Sequence, residues 1–504
     1  ITGTNGKTSV SWYLSQILFL NMINVSYIGT LGEYYNQKKI SDLENTTPDI
    51  CSLFRIAYNH YLRGSDHFIF EASSHGLDQG RIEGLPINVA ALTNISREHL
   101  DYHGNIRSYK KVKFMLLVKH LKRNGKAIVN SKINIPKKVK TILKIKSITL
   151  ITYGSPKSNI YINNKLKNYF LKINKQKYKL NLSFDNDYDI RNFECAIAIL
   201  IAIGIKEKYI IEKINMISRP PGRMEKCDNI NNKSKVFVDF AHTPDALKNI
   251  LNSTYKNFGK KPNLVFGCGG NRDKSKRKVM GKIANLYAEN VYITDDNPRN
   301  ENPQEIRNRI ISGCKRIAID IGNRKKAITA AICELRPNEI LLVAGKGHEE
   351  TQDYGNRIKN FSDKKIIKKI INRRKFSSEK SSHQNFLLKK VFNKKFIKNV
   401  NYDGVSINTR TIKKNNLFFA IKGKNNDGHE FVKKAIEKGA IKSVVSKKIR
   451  KIPKNKIIKV QNTFFTLKKL AKVTRDISSA QIIGITGSVG KTTLKNLISF
   501  ALKN

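Results

Sequence analysis

The opening stretch ITGTNGKTSVSWYLSQILFL (1–20) decides how the rest of the chain is read. Glycines at Gly3 and Gly6 let backbone amides approach an anion, and Lys7, Thr8 and Ser9 lead into a segment whose apolar residues recur at helical spacing. A Gly-rich turn feeding a helix N-terminus is a phosphate cradle: Lys7 supplies a mobile charge and Thr8 a hydroxyl for Mg²⁺. The usual glycine five residues before Gly6 is absent, because Ile1 stands there. Far along the chain TGSVGKTT (486–493) repeats TGTNGKTS (2–9), with Gly487, Gly490, Lys491 and Thr492 as the second cradle. A repeat at that distance predicts two related enzymes in tandem.

Working outward, strands and helices alternate. HFIFEAS (67–73), VAALTNIS (89–96) and KAIVNS (126–131) read as short buried strands ending in polar residues. The pattern weakens over 145–185 and resumes with a helix over 192–205. SRPPGRME (218–225) is a hinge, after which strands are expected at 235–241, 263–269, 290–296 and 339–345, each ending in Gly, Asp or His. The fold class expected is α/β: a P-loop-type ATPase domain with a parallel sheet (1–217) and a Rossmann-like C-terminal domain (218–373). A polar linker (374–398), a small α/β domain (399–479) and the start of a second P-loop domain (480–504) follow.

Composition sets bounds. At 504 residues, three or four domains are expected. No apolar run reaches membrane-spanning length, and the six cysteines are scattered without CxxC or zinc spacing, as in a reduced cytoplasmic protein. Lys and Arg number 95 against 39 Asp and Glu, a formal charge of +56. These lysines run along the whole chain with Asn and Ile and lack interleaved aromatic platforms, so neither a nucleic-acid partner nor a membrane span is expected, and a monomer is. The chain starts without Met inside the cradle motif and stops partway along a helix. The expectation is a piece of a longer protein, with about 80–110 residues of small domain preceding Ile1.

The cradle is followed by ENTTPD (44–49), FEASSHGLDQGR (70–81), TNISREHLDYHG (93–104), YKKVK (109–113), GRME (222–225), DFAHTPDAL (239–247), GCGGNRDKSKR (267–277), TDDNPR (294–299) and AGKGHE (344–349). In this order they resemble the Mur ligases, over about 1–370, and within that family the branch that adds meso-diaminopimelate. The resemblance implies an amide ligase of peptidoglycan precursor synthesis. Its substrates would be ATP, UDP-MurNAc-L-Ala-D-Glu and meso-diaminopimelate, with Mg²⁺ as cofactor.

It also implies roles for residues. Gly3, Thr4, Asn5, Gly6, Lys7, Thr8, Ser9, Asn192, Arg223 and His242 would meet ATP; Lys7, Glu71, His99 and Lys113 would be catalytic. Thr8, Glu71, His99 and Lys113, the last carbamylated to N6-carboxylysine, would hold the metal. Read alone, Glu71 and His99 at strand ends are equally well structural polar residues, and Lys113 is a solvated helix lysine. Asn45, Thr46, Thr47, Ser73, Gln79 and Arg81 would bind the nucleotide-sugar dipeptide. Arg272, Asp296, Asn297, Pro298, Arg299, Gly345 and Glu349 would bind diaminopimelate, whose far carboxylate suits the bidentate fork of Arg299. A structural salt bridge is the alternative for Arg299. Asp189 stands where the family often has Asn.

Over 399–504, VSINTRTIKKNNLFFAIKGKNNDGHEF (405–431) and the second cradle resemble the D-alanyl-D-alanine-adding branch, with Asn408 and Thr409 departing from its more usual Asp and Ser. Two rivals remain: a lysine-adding ligase of the same family, and a basic P-loop protein that binds nucleic acid.

Overall fold

The computed structural model describes residues 1–501 apart from 166–167, 175, 183–185, 230–232, 315–317, 373–387, 389–390, 393–399, 401, 424–425, 478–481 and 488–490. The chain forms two compact units, Ile1–Asn372 and Arg373–Asn504.

In the first unit, four strands run in the order Lys38–Ser41, Gly32–Tyr35, Val25–Gly29, His67–Phe70, and six in the order Gln176–Leu180, Asn168–Ile173, Ile160–Lys165, Thr149–Tyr153, Leu121–Asn130, Ile87–Leu92. Ile1 and Thr2 join these two sheets. Ile1 bonds Phe70 and Ala72 on one side, and Thr2 bonds Ala91 and Thr93 on the other. The cradle therefore leaves from the middle of the layer, at the ends of parallel strands, where α/β sheets carry ligands.

The helices Lys7–Leu20 and Asp187–Ala202 pack together on one face, with Tyr13 edge-on to Phe193 at 5.8 Å between ring centroids. Both are apolar around most of their circumference because each lies against the sheet and against the other. The second helix starts five residues before the expected Asn192, so Asp189 sits in its first turn.

The sheet is mixed, which corrects the expectation of a parallel one. Residues 160–180 form an antiparallel meander, Ile160–Lys165 with Asn168–Ile173 and then Gln176–Leu180. This is where the strand–helix alternation fades: Tyr169, Leu171 and Ile173 point inward on alternate positions while their neighbours lie outward, so no crossover helix is needed.

A third sheet follows, ordered Glu225–Asn229, Lys235–Asp239, Ile340–Ala344, Asn263–Phe266, Val291–Ile293, Ala318–Asp320. All its pairs are parallel except the first. Separate apolar clusters cover its two faces, one around Leu264, Phe266 and Leu342 and the other around Val265, Leu341 and Val343. Residues of alternating direction along each buried strand produce these two layers.

The second unit has four parallel strands, Gly404–Ser406, Asn416–Phe419, Lys442–Val445 and Ile457–Lys459, over a core of Leu417, Phe419, Val444, Ile458 and Leu470. Of the stretch expected to be a linker, only Leu388, Val391 and Phe392 are described, and they pack against that core. Among the described residues no helix is long and apolar enough to cross a membrane.

Candidate active site

The chain turns at Gly3 (φ +147°) and Gly6 (φ +90°). A Cβ at Gly3 would lie 1.9 Å from Thr93 Oγ1, so glycine alone lets the turn press onto the neighbouring strand end. Asn5 is clamped there: its carbonyl accepts from Thr93 Oγ1 (2.7 Å) and Asn94 Nδ2 (2.8 Å), and its N–H donates to Asn94 Oδ1 (2.9 Å). Gly6 caps the helix Lys7–Leu20, whose first-turn amides lack intrahelical acceptors and face a cleft of about 1010 Å³. Lys7 Nζ folds over the loop onto the carbonyls of Gly3 (2.9 Å) and Thr4 (3.0 Å).

Glu71 follows the strand His67–Phe70 and is wholly buried. Its carboxylate accepts from Thr8 Oγ1 (3.1 Å), Tyr27 OH (2.5 Å), Thr30 N (3.1 Å) and Thr30 Oγ1 (3.0 Å). Behind the loop lies Lys113, 1% exposed, donating to Thr2 Oγ1 (3.0 Å) and to the same Gly3 carbonyl that Lys7 reaches (3.1 Å). Burial, reinforced by the charge of Lys7, drives the Lys113 amine well below its usual pKa.

The third sheet's loops reach the cradle. Arg223 stacks its guanidinium 4.2 Å from the Phe240 ring centroid and directs Nη2 toward Thr8 Oγ1 (3.5 Å). His242 pairs its Nε2 with Glu98 Oε1 (3.2 Å), and Thr243 Oγ1 donates to Asn5 Oδ1 (3.4 Å). Burial opposes ionisation of Glu98, but its hydrogen bond with His242 and the nearby charge of Lys7 win and hold the carboxylate below its usual range. Next to it, burial pushes the His99 imidazole down to about 3, so His99 is neutral at physiological pH.

In the same cleft, Asn297 donates to Glu349 Oε2 (2.9 Å) and accepts from Lys346 Nζ (3.0 Å), and Lys346 also pairs with Glu349 (2.8 Å). Arg299, at φ +51°, donates from Nη1 to the Gly270 carbonyl (2.8 Å) and keeps Nε 3.7 Å from Asp353. Arg272 lines the same space, its pKa lowered by burial and by the charge of Arg299. A cleft lined by a phosphate cradle and by two guanidiniums can join an activated carboxylate to a second substrate carrying its own carboxylates.

The Mur ligase middle domain matches residues 1–200, the Mur ligase glutamate ligase domain 222–347, and the Mur ligase family catalytic domain 401–480. The UDP-N-acetylmuramoyl-L-alanyl-D-glutamate–2,6-diaminopimelate ligase of Rickettsia conorii is 40% identical over 383 residues, 74% of this chain and 79% of that protein. The chain belongs to the Mur ligase family. The Buchnera aphidicola ligase of the same name is 36% identical over 392 residues, covering 75% of this chain and 76% of its own. A solved diaminopimelate ligase of that name, 27% identical, superposes with TM-score 0.51 over 74% of this chain and 77% of its own. The folylpolyglutamate synthase of Mycobacterium tuberculosis, solved with ADP and AMPPCP, is 16% identical with TM-score 0.54 over 68% and 87%, a likeness of fold alone.

In this Mur ligase, an amide-forming enzyme, Thr4, Asn5, Gly6, Lys7, Thr8, Ser9, Glu71, His99, Asn192, Arg223 and His242 share one cleft with Thr46, Ser73, Arg272, Asp296, Asn297, Arg299, Gly345 and Glu349. Lys113 stands behind the loop at the Gly3 carbonyl, and neither of these two, nor Asn45, Thr47, Gln79, Arg81 or Pro298, lines the cleft. Thr47 is 1% exposed, with its hydroxyl donating to Glu71 O (2.8 Å) and accepting from Ser73 N (2.9 Å), so it shapes the site from within. Arg81 binds Gln79 Oε1 and the Thr47 carbonyl. Lys113 is not the solvated lysine its sequence context suggests, and His99 caps a short helix at φ +52° rather than ending a strand.

Of the expected metal set, Thr8, Glu71 and His99 line the same cleft, and Lys113 lies behind the loop at the Gly3 carbonyl. Thr8 and Glu71 do meet, and an oxygen pair of that kind fits Mg²⁺, which takes its remaining ligands from phosphate and water. Asp189 holds Arg219 (2.8 Å), Asn186 (3.2 Å) and Tyr13 (3.4 Å), which explains the departure there as an anchor for the hinge.

Sequence reasoning passed over Glu98, Tyr109, Asp239 and Lys346, although each stands inside a quoted motif beside a residue that was chosen. Tyr27 and Thr30 carried no signal. In the second unit, Lys491 donates to the Gly487 carbonyl, and Gly490 falls outside the described residues. Asn408 bonds the Arg410 amide (2.8 Å), while the Thr409 carbonyl accepts from Lys438 (2.9 Å).

Proposed function

We propose that this Mur ligase adds meso-diaminopimelate to UDP-MurNAc-L-Ala-D-Glu at the expense of ATP. The observation that carries the reading is the single cleft joining the Gly3–Thr8 cradle to the Asp296–Arg299 loop. ATP would phosphorylate the free glutamate carboxylate, and the amine at the L-centre of diaminopimelate would displace phosphate from the acyl phosphate. Mg²⁺, when bound, would neutralise phosphate charge beside Thr8 and Glu71. Lys7 would follow the transferred phosphoryl group, and Arg223 and His242 would close on the nucleotide.

Lys113 supports the family's carbamate: burial disfavours its ammonium form, and the neutral amine is the form that attacks CO₂, losing a proton as the N–C bond forms and leaving an anion. Thr46, Ser73 and Arg81, with Asn45, Thr47 and Gln79, would serve the nucleotide-sugar side. Arg272, Arg299 and Asn297 would serve diaminopimelate, with Glu349 and Gly345 shaping its pocket. Such substrates belong to a cytoplasmic reaction. Residues 399–504 would begin a second ligase, of the D-alanyl-D-alanine-adding kind: Gly487 shares the φ of +147° seen at Gly3, and Lys491 reaches its carbonyl as Lys7 reaches that of Gly3.

The test is amino-acid-dependent ADP release by the full-length protein with the UDP-linked dipeptide. Diaminopimelate should be used at least about a hundredfold better than L-lysine, since lysine lacks the far carboxylate that Arg299 would hold. Equal rates would favour the lysine-adding reading. No ADP release with tight RNA binding at physiological salt would favour a nucleic-acid protein.

A further inference from the structure

The pocket around Asp296 is backed by a buried charge pair, Arg324 and Asp363, to which the ligase reading gives no role. Asp296 lines the cleft with a side chain 11% exposed, and among the described residues no hydrogen-bond donor reaches its carboxylate. Among the described residues the cation that pairs with it is Arg324, whose Nη1 lies 4.0 Å from Asp296 Oδ2. Arg324 opens the helix Arg324–Glu334 and is completely buried. Its Nε and Nη2 form a fork onto Asp363 Oδ1 (2.8 Å) and Oδ2 (2.7 Å), and Nη2 also meets the Ala344 carbonyl (2.9 Å). Nη1 is buried and makes no hydrogen bond. Gly345 closes the other side, since a Cβ there would come within 2.5 Å of Asp296 Oδ2.

Counting charge, Arg324 is spent on Asp363, which is itself fully buried. The three groups together carry one surplus negative charge, and only Asp296 faces the cleft with it. The neighbouring Glu349 is already matched by Lys346 at 2.8 Å. Asp296 thus faces the cleft with no cation hydrogen-bonded to it, Arg272 and Arg299 lining the same space, and its counterpart in a zwitterionic ligand is an ammonium.

We infer that Arg324 and Asp363 are positioning residues that hold Asp296 at a fixed place with its charge unspent, so that it captures an ammonium group of the amino-acid substrate. This rests on the reading of the Asp296–Arg299 end as the amino-acid pocket. Asp363 does the electrostatic part: without its charge, the Arg324 guanidinium would turn its full charge on Asp296 and compete with the substrate.

The experiment is Asp363→Asn in the full-length protein, with steady-state kinetics varying diaminopimelate and calorimetric titration of diaminopimelate, thermal unfolding being recorded alongside. The KM and Kd for diaminopimelate should rise about tenfold with kcat and the KM for ATP within about threefold. Asp363→Glu should recover most of the loss. The neutral pair Arg324→Gln/Asp363→Asn restores the net charge around Asp296 and should return the KM to within about threefold of the wild type. If Asp363→Asn does not fold, the neutral pair decides: a near-normal KM supports the charge balance, and a tenfold rise overturns it. A folded Asp363→Asn with an unchanged KM, or one that loses kcat and the KM for ATP together, also overturns it. A wild type that uses no diaminopimelate would sink the pocket reading along with this one.

Discussion

Replacing Glu71 by glutamine and by alanine separates what this carboxylate does for the fold from what it does for the reaction. Four hydrogen bonds converge on it, from Thr8, Tyr27 and twice from Thr30. Tyr27 is 1% exposed and cannot turn to solvent. In Glu71→Ala the Tyr27 hydroxyl and the Thr30 amide lose their acceptor, at about 1–3 kcal/mol for each buried donor left unmade. The expected loss is therefore about 2–6 kcal/mol, a large part of a typical domain's stability. In Glu71→Gln the amide oxygen can still accept from Tyr27 and Thr30 N, while the hydroxyls of Thr8 and Thr30 rotate to accept from the NH₂. The stability loss should stay near about 1 kcal/mol. Turnover, however, should fall about 10²–10³-fold, the usual effect of deleting one fixed electrostatic group at a phosphoryl-transfer centre. Urea unfolding measures the first quantity, and amino-acid-dependent ADP release at saturating Mg²⁺ measures the second. A Glu71→Gln enzyme within fivefold of wild type, or one as unstable as Glu71→Ala, would refute the reasoning.

Lys113→Met should lose activity yet unfold at higher urea, by about 1–4 kcal/mol, because a buried amine held only by neutral acceptors is replaced by an apolar stem. The Lys113 pKa is lowered in the fold, so its penalty is complete below the folded value and fades as the pH rises toward 10.5; the advantage of Lys113→Met, measured in CO₂-free buffer, should shrink in that direction, and a less stable Lys113→Met would contradict this. Glu194 gives the opposite case. Burial, outweighing Arg191, pushes its carboxyl up to about 7, so the folded protein binds the extra proton between about 4.5 and 7 and stability falls as the pH climbs through that window. Urea midpoints against pH should show that slope in the wild type and a flatter line in Glu194→Gln. Gly222→Ala should cost several kcal/mol, on the order of a strained left-handed residue plus a backbone clash, since its φ is +69° and a Cβ would lie 2.2 Å from His348 N; thermal unfolding checks it.

Much of the site was legible because short motifs carry both the backbone geometry and the chemistry. Gly3 and Gly6 announce positive φ, and Lys7 and Thr8 follow them without any need of the rest of the chain. The Asp296–Arg299 and Gly345–Glu349 motifs came only through the family resemblance, and they share the cleft with the cradle. The antiparallel meander of 160–180 was not legible, because its alternation is short and interrupted by lysines and asparagines on the outward face.

Local order along the chain by itself determined the cradle, the buried strands that end in chemistry-bearing residues and the hinge around Pro220 and Gly222, since these depend on spacing over a few residues. Only the tertiary structure decided that Lys113 is buried against Gly3, that Glu98 meets His242 across 144 positions, and that Tyr27 and Thr30 furnish the donors for Glu71. The physical reason is that burial and electrostatic partnership are set by what several distant strands bring to one point. A lysine on a helix reads the same in the sequence whether its amine ends in water or behind a phosphate loop.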